Sequence, residues 1–213
     1  MDSYFRLNLL RVLHYHLHAM TPLCVGGSFN PIHYAHLRCA AAAMTAKGFD
    51  RAVLIPSAQP PHKVNGDLAS AEDRLAMCRA AVADDTRFVV DDLELRRSGP
   101  SYTIDTAREL KRRGWSSVSW MIGADMLLYL PKWHQAEALI HEVNFVIVAR
   151  PGWAIDWSLL PLSFQTLKAN VIDAPLIDIS ASEIRRRVRE GESIEGLTPP
   201  AVAQYIADRG LYR

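Results

Sequence analysis

No stretch of this sequence approaches the ~20 consecutive apolar residues that a membrane-crossing helix requires, so a cytoplasmic chain with no membrane partner is expected. Cysteine is scarce. Cys24, Cys39 and Cys78 lie in apolar or helical contexts without C-x-x-C spacing, and they read as buried free thiols in a reducing compartment. Charge of one sign is also lacking: 24 Lys and Arg stand against 23 Asp and Glu, a net of +1, without the broad basic surplus of a general nucleic-acid binder. No nucleic-acid partner is expected. What remains is an ordinary globular composition, 213 residues with 49% hydrophobic and 22% charged, enough to bury a core as one domain.

Residues 1–20 read as a poorly ordered N-terminal extension, and residues 21–213 as the domain proper. The extension holds Arg6 and Arg11 among scattered apolar residues but no apolar core followed by a small-residue cleavage site, which argues against a signal peptide. His14, His16 and His18 alternate within it, with no cysteine or carboxylate close by to complete a metal site. Met20 directly precedes the first strand and is a candidate start.

The domain is organised around Gly26-Gly27-Ser28-Phe29-Asn30-Pro31-Ile32-His33-Tyr34-Ala35-His36. An apolar strand, Leu23-Cys24-Val25, leads into it, and an Ala-rich segment with Leu37, Ala40, Ala41 and Met44 at helical spacing follows. Strand, glycine turn and helix in that order make a phosphate seat, because the first helical amides are unpaired and carry the positive end of the helix dipole. His33 and His36, three apart, share one face of the first turn and can donate to the same oxyanion.

Strands and helices alternate from Pro22 onward, which predicts a parallel sheet with helices on both faces. Residues 51–56, 87–93, 117–122, 144–149 and 171–172 read as its further strands. Between them, Gln59-Pro60-Pro61-His62-Lys63 is a loop stiffened by prolines whose Lys63 ammonium can reach across a ligand. Glu72 to Val82 reads as an amphipathic helix with Leu75, Cys78 and Val82 inward, and Arg74 on it is assigned to packing. Ser101 is placed as the cap of a helix buried through Ile104, Ala107 and Leu110. Gly123-Ala124-Asp125 falls at the carboxyl end of a central strand, the edge where ligands bind in open α/β sheets. Asp125 there serves a ribose hydroxyl or caps the next helix. Trp133 offers a flat ring for stacking, or is a core or rim residue. Trp153 to Lys168 reads as a helical insertion. Ser180 with Glu183 three residues on has capping-box spacing, so a second helix start offers amides to an anion, with Arg185 in its next turn able to fork onto phosphate oxygens. Arg186, Arg187 and Arg189 read as solvated. Thr198-Pro199-Pro200 opens a last helix, with Val202, Tyr205 and Ile206 inward and Gly210 as its stop.

Five of these segments together resemble the nucleotidyltransferases that carry the G-G-[ST]-F-[DN]-P-x-H-x-x-H signature, and in particular the bacterial nicotinate-nucleotide adenylyltransferases. The matching runs are Gly26 to His36, Pro60-Pro61-His62-Lys63, Gly99-Pro100-Ser101-Tyr102-Thr103, Ile122-Gly123-Ala124-Asp125 through Leu130-Pro131-Lys132-Trp133, and Ile179-Ser180-Ala181-Ser182-Glu183-Ile184-Arg185. The resemblance implies a Rossmann-like α/β fold with a small C-terminal helical part. It implies adenylyl transfer from ATP to nicotinate mononucleotide, giving deamido-NAD and pyrophosphate, with Mg²⁺ held through the ATP phosphates. By the same resemblance His33, His36, Lys63 and Arg185 are the catalytic charges. Gly26, Gly27, Ser28, Phe29, Asn30, Gly123, Asp125, Ile179, Ser180 and Ser182 bind ATP, while Pro61, His62, Tyr102, Thr103 and Trp133 bind the pyridine nucleotide. Two departures stand out: Asn30 occupies a position where many members carry Asp, and Ala181 one where serine is frequent. Two other readings remain at this point, a phosphopantetheine adenylyltransferase and a nucleotide-sensing module without turnover. Homo-oligomer formation is left open.

Overall fold

The computed structural model describes residues 22–59, 68–150, 152 and 154–213. The expected extension 1–20 and the loop residues Pro61, His62 and Lys63 lie outside the described residues. Six strands form one parallel sheet: β1 (Leu23–Gly27), β2 (Ala52–Pro56), β3 (Phe88–Val90), β4 (Ser119–Gly123), β5 (Asn144–Ala149) and β6 (Val171–Asp173), in the order β3-β2-β1-β4-β5-β6. The helices are α1 (Tyr34–Lys47), α2 (Ala71–Ala81), α3 (Thr103–Arg112), α4 (Ala124–Leu127), α5 (Ala136–Glu142), α6 (Leu162–Gln165), α7 (Ala181–Arg189) and α8 (Pro200–Arg209).

Alternation along the strands divides the core in two, as a doubly covered sheet requires. Cys24, Val53, Ile55, Trp120, Ile122, Phe145 and Ile147 face the α3 and α5 side, where Ile104, Ala107, Leu110 and Leu139 pack on them. Leu23, Val25, Leu54, Val146 and Val148 face the other side, against Ala40 and Met44 of α1, Met77 and Cys78 of α2, and Val202 and Ile206 of α8. The sheet order reverses direction between β1 and β4. That is the topological switch point, the crevice in which such folds take ligands.

Several local expectations change. The third strand is only three residues long, because Asp91 Oδ1 accepts the Leu93 amide at 2.9 Å and the Asp92 carbonyl accepts that of Leu95 at 2.9 Å, which turns the chain. The inward face of α2 is Asp73, Arg74, Met77 and Cys78, with Leu75 only partly covered. Arg74 takes the place the apolar pattern assigned to Leu75 because four carbonyls wait for its guanidinium. The cap of α3 is Tyr102, and Ser101 is instead a cross-link whose hydroxyl accepts the Ala58 amide at 2.9 Å. The stretch expected as a helical insertion is helical but broken into short pieces, 3-10 turns at Trp157–Leu159 and Thr166–Asn170 flanking α6, with Leu160, Phe164 and Leu167 buried. Among the described residues, no helix is long and apolar enough to cross a membrane.

Glu94 sits beneath the α3 start with its carboxylate accepting the Thr106 hydroxyl at 2.6 Å, and Arg97 reaches the same hydroxyl at 3.3 Å. Burial is the largest influence and raises the Glu94 pKa; the hydrogen bonds from Thr106 and Ser101 and the Arg97 charge oppose it. A carboxyl whose folded pKa lies above its unfolded one favours folding fully below the unfolded value, and that contribution is lost as pH rises through the folded value. Glu94→Gln keeps an acceptor for Thr106 and removes the titration. Thermal melts are therefore expected to show the variant gaining on the wild type from pH 4 to pH 8, and a gap that stays constant across that range contradicts the assignment.

Candidate active site

The turn after β1 is built differently from a glycine turn. Gly26 and Gly27 end the strand, and the residue with positive φ is Phe29, at 46°. Gly26 is required by packing, since a Cβ there would overlap the Trp120 indole, and a Cβ on Gly27 would come within 3.3 Å of the Phe29 ring. These glycines therefore admit neighbouring side chains of the protein itself.

His33 is the N-cap of α1 and is 6% exposed. Its amide donates to His36 Nδ1 at 3.3 Å, and the two imidazoles stack with centroids 3.7 Å apart. Phe29 meets the His36 ring edge-on at 5.2 Å. Because Nδ1 of His36 accepts, a neutral ring there carries its proton on Nε2, the nitrogen on the far side of the ring. Not every early amide of α1 is open to a ligand: the Tyr34 amide donates to the Leu197 carbonyl at 3.0 Å and that of His36 to the His33 carbonyl at 3.0 Å. The helix start thus contributes less to an anion than four unpaired amides would.

His33 and His36 line a cleft of about 430 Å³ together with Gly123, Asp125 and Ile179. The histidines enter from the end of β1 and Gly123 and Asp125 from the end of β4, so the cleft opens at the switch point. Gly123 caps α4, and the Asp125 carboxylate folds back over it so closely that a Cβ at 123 would collide with Oδ1. Met121, Val148, Ala174 and Ile177 supply an apolar wall. Cys39 and Arg150 also line this cleft, and neither was read from the sequence as a site residue. Cys39 corrects the expectation of three buried thiols, being only half-buried; burial still raises its pKa, with the Arg150 charge opposing. Arg150 directly follows β5 at the carboxyl edge of the sheet, and that position was the signal available for it.

The other predicted residues take neighbouring places. Ser180 caps α7 by accepting the Glu183 amide at 3.2 Å. The reciprocal half of the capping box is not made among the described residues, because the Glu183 carboxylate pairs with Arg186 and Arg187, each at 2.8 Å, and those ion pairs lower its pKa to about 2. Arg186 also pairs with Glu190 and Glu192, so these arginines form an ion-pair network and are not simply solvated. Arg185 points the other way. Its Nη1 donates to the Asn30 carbonyl at 2.8 Å and its Nη2 to Ser182 Oγ at 3.4 Å, and its Nε is buried without a hydrogen-bond partner among the described residues. Asn30 Oδ1 accepts the Ala69 amide at 3.0 Å and the Tyr212 hydroxyl at 2.7 Å. Ser28 presents its carbonyl to Arg74 Nη1 at 2.8 Å. Tyr102, Thr103 and Trp133 do not line the cleft of the two histidines; Tyr102 stacks on His134, centroids 4.2 Å apart, and Trp133 packs on the α3 side of the core. His134 was not singled out from the sequence.

A parallel sheet of this order with an imidazole pair and a carboxylate at its switch point is a nucleotide-binding α/β protein. Residues 24–187 match the cytidylyltransferase-like family model, and the chain belongs to that family. It is 43% identical to the probable nicotinate-nucleotide adenylyltransferase of Herpetosiphon aurantiacus over 191 residues, covering 88% of this chain and 96% of that one. The probable nicotinate-nucleotide adenylyltransferase of a Roseiflexus species is 40% identical over 191 residues, 89% of this chain and 96% of that one. In fold the chain resembles Plasmodium falciparum nicotinic acid mononucleotide adenylyltransferase complexed with NaAD, with a TM-score of 0.72, 22% identity, and coverage of 91% of this chain and 98% of that one.

Proposed function

We propose that this chain transfers the adenylyl group of ATP to nicotinate mononucleotide, a step of NAD biosynthesis. The observation that carries the reading is the stacked His33–His36 pair lining one switch-point cleft with Asp125 and an apolar wall. In the reaction an oxygen of the mononucleotide 5′-phosphate attacks the α-phosphorus of ATP. The new O–P bond forms as the bond from the α-phosphorus to the β-phosphate oxygen breaks, and pyrophosphate leaves with that electron pair. No protein nucleophile is needed; the chain aligns two anions and meets the charge that develops on the reacting phosphate.

His33 and His36 donate to the α-phosphate oxygens. Arg185 and the start of α7 hold the leaving phosphates, together with Lys63. Asp125 bonds the ribose hydroxyls, and the wall of Met121, Val148 and Ile177 receives the adenine. Gly26, Gly27, Ser28 and Phe29 shape the turn beneath the phosphates. Tyr102, Thr103 and Trp133 receive the pyridine ring, Pro61 and His62 are assigned to the same nucleotide by the sequence resemblance, and the Thr103 amide at a helix start is available to the ring carboxylate. Among the described residues, no group of three or more His, Cys, Asp or Glu comes together as a metal site. On this reading Mg²⁺ comes with ATP, held through the substrate phosphates, and would offset the charge on the departing pyrophosphate. The half-buried thiol of Cys39 at the cleft suits a reducing cytoplasm.

Purified protein incubated with MgATP and one acceptor at a time tests this. Pyrophosphate release is expected with nicotinate mononucleotide. Release with phosphopantetheine alone makes the chain that transferase instead, and ATP binding with no release for any acceptor makes it a nucleotide sensor.

A further inference from the structure

The segment 197–212, far from the histidines in sequence, grips the turn that carries them. The Leu197 carbonyl takes the Tyr34 amide at 3.0 Å, the Thr198 hydroxyl donates to the Ile32 carbonyl at 2.8 Å, and the Tyr212 hydroxyl donates to Asn30 Oδ1 at 2.7 Å. How Tyr212 gets there follows from the end of α8. Gly210 at φ 59° stops the helix, the Leu211 amide closes onto the Ile206 carbonyl at 3.0 Å, and Tyr212 itself takes a left-handed conformation at φ 65°. A tyrosine rarely adopts that conformation, and it persists only where surrounding contacts outweigh its cost. Its side chain thereby reaches back to Asn30.

We propose that Tyr212 is a positioning residue for adenylyl transfer: its hydroxyl fixes Asn30, and through the short Asn30-Pro31-Ile32 link fixes where the His33 and His36 imidazoles stand. Asn30 is the node. Its side-chain oxygen is held by Ala69 and Tyr212 and its carbonyl by Arg185, so one residue joins the loop before α2, the phosphate-holding arginine and the last segment of the fold. Burial is the main cause of a raised Tyr212 pKa, so the phenol, which an ordinary tyrosine already keeps protonated at neutral pH, stays a donor there. The arrangement also gives the Asn30 amide a use that does not require the negative charge of an aspartate.

This inference rests on the proposed reaction, and the test separates the two. Tyr212→Phe removes one hydroxyl; Tyr205→Phe removes another, from α8 itself, one that donates to Asp73 at 2.8 Å. With MgATP and nicotinate mononucleotide, Tyr212→Phe is expected to lower kcat about tenfold, the loss of one net hydrogen bond from the aligned state, with KM for the mononucleotide changed less than about twofold. Tyr205→Phe is expected to keep the wild-type kcat. Equal kcat in both variants overturns the inference. If the wild type itself transfers no adenylyl group, the reaction is wrong, and NMR titration of the His33 and His36 rings then decides the positioning claim. Midpoints that move in Tyr212→Phe but not in Tyr205→Phe support it, and unmoved midpoints reject it.

Discussion

His36→Asn is expected to lower turnover of MgATP and nicotinate mononucleotide by about 10²- to 10³-fold, the size typical of removing one donor aimed at a developing oxyanion. The choice of asparagine follows from the geometry. His36 Nδ1 accepts the His33 amide at 3.3 Å and so helps hold the start of α1. An asparagine oxygen can keep that acceptor, whereas it has no donor where Nε2 stands. His36→Ala removes both functions, and is expected to match the loss of turnover while also losing stability of about 0.5–2 kcal/mol from the weakened helix start. Circular dichroism and denaturant melts on the two variants divide chemistry from folding. A His36→Asn enzyme that turns over like the wild type would remove His36 from the reaction. KM for ATP is expected to change much less than kcat, because charge on the α-phosphate oxygens grows mainly in the transition state.

The parallel sheet, its two faces and the switch-point location of the cleft were legible from strand and helix periodicity, since alternating apolar strands leave few topologies open. The positions of His33, His36, Gly123 and Asp125 at a helix start and a strand end were legible too, and these residues line one cleft with Ile179, which only the family resemblance had named. Other residues escaped because their roles depend on contacts distant in sequence. Trp120 decides why residue 26 is glycine, and the two are 94 positions apart. Tyr212 lies 182 positions from Asn30, and nothing in the local pattern near the end of α8 separates a helix stop from a strut. The Leu197 carbonyl occupies an amide that helix geometry alone leaves open. Arg74 was read as a packing residue, which its burial bears out, but the four carbonyls it joins escaped for a related reason: periodicity weighs apolar letters and does not show what a buried arginine binds.

Arg74→Met is expected to destabilise the fold by about 3–5 kcal/mol, which for a domain of this size lowers Tm by roughly 10 °C. Arg74 is 1% exposed, and its guanidinium reaches four carbonyls: Ser28 at 2.8 Å, Ser57 at 2.6 Å and Ala58 at 3.3 Å through its two terminal nitrogens, and Ala69 at 3.0 Å through Nε. Those carbonyls belong to the turn after β1, the chain leaving β2 and the entry to α2. Methionine fills much of the volume but leaves all four acceptors without this donor, and each buried polar group so stranded costs about 1–3 kcal/mol, offset in part by no longer burying a charge. Burial lowers the Arg74 pKa, with Cys78, Tyr212 and Glu72 opposing, as for a charge moved out of water. Lysine should not rescue. A single ammonium cannot span acceptors that a planar fork reaches from several directions, so Arg74→Lys is expected to recover less than half of the lost stability. Denaturant midpoints with unchanged slopes are the measurement. Because Arg74 holds the Ser28 carbonyl two residues ahead of Asn30, Arg74→Lys should also lose turnover at temperatures where it remains folded. Full activity and full stability in that variant would mean that charge alone, without the fork, secures the three segments.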